Sequence, residues 1–350
     1  METRDLLKQY KDKVNSKIND FFDSEIKNCQ NKDEKIINLI DNLKEFNLRG
    51  GKRIRAILAL VSYELFDGKD FNSMLDIAVS VELMQSFFLI HDDIIDNDSF
   101  RRGGPTFHKI YENSNENLGQ RQSEGIAIVA GDILESLSKK MILQSCFNEQ
   151  IKIKILEKFN EIIENTCYGE FLDILSAKQQ NMDEEDIIKI HKFKTAKYTI
   201  EGPLQLGAIT AGADDKQLKI LSDYAIPLGI AFQIKDDIMG LFGDNEKIGK
   251  PAGSDVREGK ITLLILKAIE KCSEDDKNLI KSCLGNEDIT EDELSKLRKI
   301  IVKTGSLDYS EKLSEKLIFQ AKDALKKSSL SEQSKHLLFE IADLILKRDC

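Results

Sequence analysis

Two clusters of aspartates are the residues in this sequence whose types and spacing are best suited to chemistry. The first cluster, Asp92, Asp93 and Asp96, stands in the stretch HDDIIDNDSFRRGGPTFH, directly after the apolar run FFLI. The second, Asp236 and Asp237, stands in FQIKDDIMG, much further along the chain. Residues four apart on a helix project from one face, so Asp92 and Asp96 would lie one turn apart.

Carboxylates crowded in this way repel one another unless cations lie between them. Mg²⁺ is a hard cation that takes oxygen ligands and shares them with phosphate groups. One such cluster alone has an ordinary alternative interpretation, because exposed aspartates are common at helix ends. Two clusters on apolar helices, each followed by a basic glycine-rich stretch, favour a site in which several Mg²⁺ ions bind a phosphorylated substrate.

Basic residues that could bind such a substrate follow both clusters and also occur near the amino terminus. In GGKRIR, two glycines would let the backbone approach a ligand, and Lys52 and Arg55 would share a helix face at its positive end. Each lysine taken alone is most simply a solvated surface charge. The candidate residues for anion binding are Gly51, Lys52, Arg55, Arg101, Arg102, Lys194, Thr195, Lys250 and Lys260.

The elements that must position these residues are predicted to be helices. Apolar residues recur at helical spacing along almost the whole chain, and only 4 Pro and 20 Gly occur among 350 residues. The predicted helices span 3–29, 34–46, 52–66, 72–97, 120–144, 148–178, 184–200, 204–212, 215–242, 260–271, 275–284, 291–304, 308–328 and 331–347. The capping-box pattern from Thr290 to Glu293 marks the sharpest boundary. One all-α domain comprising residues 1–350 is the simplest architecture, with loops at 99–118 and 243–260.

Composition narrows the class of protein further. The net charge of −10 argues against a general nucleic-acid binder, which needs clustered positive charge over a broad face. The amino-terminal stretch METRDLLKQYKDKVNSK is charged and helix-like rather than typical of a signal peptide. No apolar run approaches the roughly 18 residues that a membrane span needs. We therefore expect a soluble, cytoplasmic protein without a membrane span.

The order of the motifs resembles that of the all-trans polyprenyl diphosphate synthases, a family that includes the farnesyl and geranylgeranyl diphosphate synthases. The motifs are GGKRIR, LIHDDIIDND, RRGGPTFH, AGD, GEFLDI, KTAKY, FQIKDDIMGLFGD and IGKPAGSDVREGKITLL, within about residues 45–265. The glycine of DDIMG and the EGP after KTAKYTI are similar to the archaeal branch. The resemblance implies the isoprenoid synthase fold, a helical bundle around a central cavity, as a homodimer with both aspartate motifs at the cavity mouth.

The resemblance also implies a role for each matching residue. Three Mg²⁺ ions per active site would be held by Asp92, Asp96 and Asp236, the last with help from Asp237. The allylic diphosphate would be bound by Arg101, Lys194, Thr195, Gln233, Lys250 and Lys260. Isopentenyl diphosphate would be bound by Gly51, Lys52, Arg55, Gln85 and Arg102. Asp93 would be a supporting carboxylate, Asp98 would be solvated, and His91 and His108 would be structural.

The implied reaction begins when the diphosphate leaves the allylic substrate. The double bond of isopentenyl diphosphate then attacks the cation-like carbon, and a proton is lost to the released pyrophosphate. The residues expected to take part directly in catalysis are Asp92, Asp93, Asp96, Arg101, Lys194, Asp236 and Asp237.

Three residues depart from the pattern of the family. Gly240 stands where many relatives have the last aspartate of the second motif, which removes one possible outer metal contact. Glu170 replaces the usual Gln of GQ-x-x-D, although Asp173 is kept. Ala56 replaces a frequent proline after GGKRIR, which we expect to affect only the local backbone. None of these changes removes a predicted metal ligand, so catalytic competence is expected.

Two adjacent aromatic residues are candidates for setting the length of the product. On a helix, Phe88 would lie one turn, about 6 Å, below Asp92, with Phe87 beside it. Both are either ordinary core residues or the floor of the pocket that receives the growing chain. Under the resemblance, two aromatic residues here imply a product of C15, farnesyl, to C20, geranylgeranyl.

Two other functions remain open from the sequence. A non-catalytic regulatory subunit of a prenyl synthase could keep the fold, but such subunits typically lose aspartates from one motif. A class I terpene cyclase would usually carry an Asn/Ser/Glu metal triad in place of the second motif and would not need GGKRIR. Both aspartate pairs and GGKRIR are present, which favours the synthase.

Overall fold

The computed structural model describes residues 3–114, 118–176, 182–243 and 253–347. Helices form most of this part of the chain and confirm the prediction of an all-α fold. The helices are α1 Thr3–Asn28, α2 Glu34–Leu48, α3 Ile54–Leu65, α4 Phe71–Ile95, α5 Phe107–Glu112, α6 Gln120–Gln144, α7 Glu149–Ser176, α8 Glu184–Ile190, a π-helix His191–Glu201, α9 Gly202–Thr210, α10 Asp215–Phe242, α11 Ser254–Arg257, α12 Leu263–Lys271, α13 Glu274–Cys283, α14 Glu291–Lys303, α15 Ser306–Lys327 and α16 Glu332–Lys347.

Three regions differ from the sequence prediction. A hairpin of β1 Phe100–Arg101 and β2 Gly104–Pro105, followed by α5, lies in the predicted loop 99–118. The short helix α11 lies in the predicted loop 243–260. Residues 191–201, predicted as α-helix, form a π-helix. Elements of two to six residues carry too little periodicity to be recognised, and tertiary packing stabilises them.

The chain forms two compact units. The first contains residues 1–158 and 203–214, and the second contains residues 159–202 and 215–349. That residues 1–350 act as one domain stays a prediction.

Helix α4 is the centre of the first unit, where it packs against α1, α2, α3, α5 and α6. Its apolar residues do not follow one stripe, because the helix is buried on nearly all sides. Among the described residues it is the one helix long and apolar enough to span a bilayer, and 83% of its most apolar window is buried. A buried core helix satisfies the same criteria of length and composition.

Helix α10 is the centre of the second unit, where it packs against α15 and the π-helix. A Cβ atom added at Gly229 of α10 would lie 2.4 Å from the Cα of Ala196 in the π-helix. Only glycine therefore permits this approach of the two backbones. The contact fixes Thr195, the neighbour of Ala196, beside α10.

Gly207 of α9 provides a test of close packing in the first unit. An added Cβ would lie 2.1 Å from the carbonyl oxygen of Ala59 in α3. We expect Gly207→Ala to lower the free energy of unfolding by about 1–3 kcal/mol, as is typical of overpacking. Urea unfolding measures this change.

The matched control is Gly125→Ala on α6, where an added Cβ meets nothing within 4 Å. Because alanine favours a helix over glycine, this variant should be as stable as the parent or more stable by up to about 1 kcal/mol. Equal unfolding midpoints for Gly207→Ala and the parent would contradict the packing argument.

Candidate active site

The first aspartate motif lies at the carboxyl end of α4. Asp92 is in the last turn, and Asp96 is the C-cap residue, whose backbone N–H donates to the Asp92 carbonyl oxygen at 2.8 Å. Both are partly exposed, whereas Asp93 is fully buried. The rigid helix therefore presents Asp92 and Asp96 to solvent and directs Asp93 into the protein.

Arg101 is held by two carboxylates. Its Nε donates to Asp93 Oδ1, and its Nη2 donates to Asp98 Oδ2 at 3.2 Å. The prediction that Asp98 is solvated is wrong, because its side chain is only 17% exposed and binds Arg101. The hairpin causes this difference, since its turn residues Arg102 and Gly103 both have positive φ, as in a type I′ turn, and return the chain towards α4.

Arg102 contacts the glycine pair of GGKRIR. Its Nη1 donates to the Gly50 carbonyl oxygen at 3.2 Å, and a Cβ added at Gly51 would lie 2.9 Å from its guanidinium carbon. Burial lowers the pKa of Arg102, and neighbouring arginines, Arg55 among them, lower it further. A bound anion would relieve this repulsion. The structure thus brings together Gly51 and Arg102, two of the residues that the resemblance assigns to isopentenyl diphosphate.

Sequence reasoning missed a buried ion pair that supports this loop. Arg53 Nη1 lies 3.2 Å from Glu82 Oε2, and both side chains are almost fully buried. Arg53 Nη2 also donates to the Asn47 carbonyl oxygen at 2.5 Å. Glu82 Oε1 accepts from the backbone N–H of Ala56 at 3.2 Å, a bond that a proline at this position could not form. The pair fixes the backbone between Lys52 and the start of α3.

In the second unit, a chain of hydrogen bonds links the π-helix to the second motif. Thr195 Oγ1 donates to Gln233 Oε1 at 2.6 Å, and Gln233 Nε2 donates to Asp237 Oδ1 at 2.8 Å. Asp237 Oδ2 is buried, lies 3.3 Å from His191 Nε2, and has no hydrogen-bond partner among the described residues. Asp236, in contrast, is partly exposed. An unsatisfied carboxylate oxygen beside an accessible carboxylate suits an oxygen-binding cation with its water ligands.

Lys194 lies between two carboxylates. Its Nζ is 2.6 Å from Glu170 Oε2 and 2.6 Å from Asp173 Oδ2. Burial opposes ionisation of Asp173, but the charges of Lys194 and Lys260 and the hydrogen bond from Lys194 together outweigh it and hold the pKa of this carboxyl below its ordinary value. The glutamate that departs from the family pattern therefore adds a second negative charge to the surroundings of Lys194.

A cavity of about 90 Å³ lies in the second unit beside these groups. The polar residues that line it include Asp173, His191, Lys194, Thr195, Gln233, Asp237, Asp255 and Lys260. The structure thus brings together the predicted residues Lys194, Thr195, Gln233, Asp237 and Lys260. Lys250 lies outside the described residues.

Asp255 is a further residue of this cavity that sequence reasoning missed. Burial raises the pKa of its carboxyl to about 7, and the charge of Asp237 adds to this effect. A Cβ added at Gly240 would lie 3.3 Å from Asp255 Oδ2. Asp255 thus brings a carboxylate close to Gly240, where many relatives carry the last aspartate of the motif. Its position in the glycine-containing stretch GSDVREGK, shortly after the second motif, was the available signal.

The two motifs suit Mg²⁺ better than a fully protein-bound metal. Within residues 3–114, 118–176, 182–243 and 253–347, no three His, Cys, Asp or Glu side chains form a metal-binding group. Mg²⁺ is usually held by one or two carboxylates, with substrate phosphates and water completing its shell. The pair Asp92 and Asp96, and Asp236 beside Asp237, fit that pattern.

Comparisons with known proteins agree with the motifs. The family model described as polyprenyl synthetase matches residues 37–301. Geranylgeranyl diphosphate synthase of Sulfolobus acidocaldarius is 34% identical over 302 residues, covering 85% of this chain and 87% of that protein. Geranylfarnesyl diphosphate synthase of Aeropyrum pernix is 33% identical over 304 residues, covering 85% and 91%.

A solved structure extends the comparison to the fold. Geranylgeranyl pyrophosphate synthase of Corynebacterium glutamicum, complexed with isoprenyl diphosphate and magnesium, is 29% identical with a TM-score of 0.92. The match covers 98% of this chain and 99% of that one.

The pairing of Lys194 with two carboxylates predicts the effect of Glu170→Gln. Removal of one negative charge beside Lys194 should tighten the binding of inorganic pyrophosphate in Mg²⁺ by about 2- to 5-fold, the range of a partly exposed ion pair. Calorimetric titration measures the affinity. Glu164→Gln, at an exposed position of α7, is the matched control and should leave it unchanged. Weaker binding by Glu170→Gln would show that Glu170 assists the anion site instead.

Proposed function

Because the chain belongs to the polyprenyl synthetase family, we propose that this prenyltransferase condenses isopentenyl diphosphate with allylic diphosphates of five, ten or fifteen carbons. The products are geranylgeranyl diphosphate, farnesyl diphosphate or both, with release of pyrophosphate. The observation that carries the proposal is the shared design of the two motifs. In each, one aspartate is buried and bonded to a neighbouring side chain while the adjacent aspartate stays partly exposed.

Asp92, Asp96 and Asp236 are the proposed ligands of three Mg²⁺ ions. When bound, the metal neutralises charge on the diphosphate that leaves the allylic carbon. Asp93 and Asp237 position these ligands, since each is buried and bonded to a neighbouring side chain. The resemblance of the motifs and the magnesium in the Corynebacterium structure support this assignment.

Basic and polar residues are the proposed ligands of the allylic diphosphate. Arg101 is held rigidly by Asp93 and Asp98, so it loses little side-chain entropy when it binds a phosphate. Lys194 and Lys260 line the cavity of the second unit. The remaining proposed contacts are Thr195, Gln233 and Lys250. The side-chain oxygen atoms of Thr195 and Gln233 are also proposed to stabilise the positive charge on the allylic carbon.

Isopentenyl diphosphate is bound by the loop GGKRIR and its neighbours. Arg102 already contacts Gly50, and the proposed diphosphate ligands are Lys52, Arg55 and Arg102. Gln85 of α4 is buried and occupies the position where many relatives carry His. Because Gly51 has no side chain, the Arg102 guanidinium can pack against it.

The reaction breaks the bond between the allylic carbon and its diphosphate oxygen. The double bond of isopentenyl diphosphate forms the new carbon–carbon bond, and the proton that is then lost goes to the released pyrophosphate. No histidine base is required. His108 is buried, and burial lowers its pKa, while His91 Nε2 contacts the Ile128 carbonyl oxygen at 3.2 Å.

The protein is also proposed to be a cytoplasmic homodimer. Ile128 and Val129 of α6 are 46% and 54% exposed, an apolar pair that a second copy would cover. Light scattering that gave the mass of a single chain would contradict the dimer. Recovery of the protein in the membrane fraction after cell lysis would contradict a cytoplasmic location.

The proposed function is tested by incubating the purified protein with Mg²⁺, isopentenyl diphosphate and each allylic diphosphate. We expect elongated products by mass analysis, and no elongation with any substrate would refute the function. Asp236→Asn should lower the rate by about 10²- to 10³-fold, a loss typical of removing one group that stabilises the transition state. Asp223→Asn, at an exposed position of the same helix, is the control and should retain the rate.

Product length should depend on Phe87 and Phe88. Their rings are 4.6 Å apart, and the side chains are 8% and 9% exposed. Replacing both with Ala removes the proposed floor, so we expect longer products by mass spectrometry. Phe319→Ala, at a position that is 67% exposed, should leave the products unchanged. An unchanged product spectrum for the double variant would refute the floor assignment.

A further inference from the structure

The ring of His91 packs against the ring of Phe87. His91 lies one turn after Phe87 on α4, and their ring centroids are 4.8 Å apart at an angle of 72°. Phe88 contacts the same Phe87 ring at 4.6 Å. An edge-to-face contact on one side and a tilted contact on the other restrict the orientation of the Phe87 ring.

Helix α6 in turn fixes the position of His91. Its Nε2 lies 3.2 Å from the carbonyl oxygen of Ile128. A Cβ atom added at Gly131, one turn further along α6, would lie 2.4 Å from that Nε2 and 2.7 Å from Cδ2. The imidazole therefore occupies the space that any larger residue at position 131 would fill. Gly131 is helical and has no positive φ, so this space is what requires glycine.

We propose that His91 and Gly131 are positioning residues that set product length by holding the Phe87 ring in place. The inference rests on the proposed function and on Phe87 as part of the pocket floor. The site to which it assigns specificity extends from α4 to the facing surface of α6. In the reaction above, His91 then needs no proton transfer, because its contribution is the position of its ring.

A steric change on α6 should therefore alter the products without altering any residue of α4. Gly131→Ala forces the His91 ring to move, because the contacting atoms are at the end of a side chain that can rotate. Phe87 then loses its support and leaves more space for a growing chain. We expect the ratio of longer to parental product to rise about 2- to 10-fold, the range for loss of one aromatic contact.

The experiment compares the product ratio, by mass spectrometry, for the full-length parent, for Phe87→Ala and for four further variants with the same substrates. Gly131→Ala and His91→Ala should each raise the ratio of longer product. In the double variant His91→Ala/Gly131→Ala, the second change should add nothing, since the ring that it displaces is gone. Gly125→Ala, with nothing within 4 Å of its added Cβ, should match the parent.

The outcomes separate this inference from the proposed function. If the parent makes no elongated product, the proposed function fails. The inference is overturned if the parent makes an elongated product and Phe87→Ala lengthens it, but neither Gly131→Ala nor His91→Ala changes the ratio of longer to parental product. It is also overturned if the two changes have additive effects, or if Phe87→Ala leaves the products unchanged. Should Gly131→Ala not fold, His91→Ala alone decides, because removing a ring causes no clash.

Discussion

Carboxylates held close together at the end of a rigid helix repel one another, and both proposed metal-binding regions depend on how this repulsion is resolved. Bonds within the protein relieve part of this repulsion. Asp93 is bonded to Arg101, and Asp237 is bonded to Gln233 and lies beside His191. The neighbouring aspartates, Asp92 and Asp236, stay partly exposed. One member of each pair thus anchors the motif, and the other can bind a cation together with a substrate phosphate.

Burial of α4 also fixes the spacing between the proposed metal ligands and the residues proposed to set product length. The helix is enclosed on nearly all sides, so the distance between its final carboxylates and the Phe87–Phe88 pair one turn earlier is fixed. Groups proposed for the chemistry and for product length therefore belong to one rigid element. The close approach of Gly131 to His91 keeps α6 in register with α4. In the second unit, the close approach of Gly229 to Ala196 does the same for α10 and the π-helix.

Local sequence was sufficient for the long helices and for the two motifs. Periodicity predicted α4 and α10, and the capping box of Thr290 and Glu293 that predicted the start of α14 is present. Pairs between distant residues could not be predicted in this way. Burial of Arg53 with Glu82 and the approach of Asp255 to Gly240 both depend on tertiary contacts. A single glutamate within the apolar stretch of α4 was the only local sign of the first pair.

The central claim is that the aspartate motifs bind diphosphate through divalent cations. Thermal unfolding of the protein with Mg²⁺, with inorganic pyrophosphate, and with both tests this claim most directly, since ligands that bind the folded state raise its unfolding temperature. We expect the two together to raise that temperature by more than the sum of their separate effects, and Asp92→Asn to remove the excess. If pyrophosphate raised the unfolding temperature by the same amount when a chelator removed the divalent cations, the claim would be contradicted.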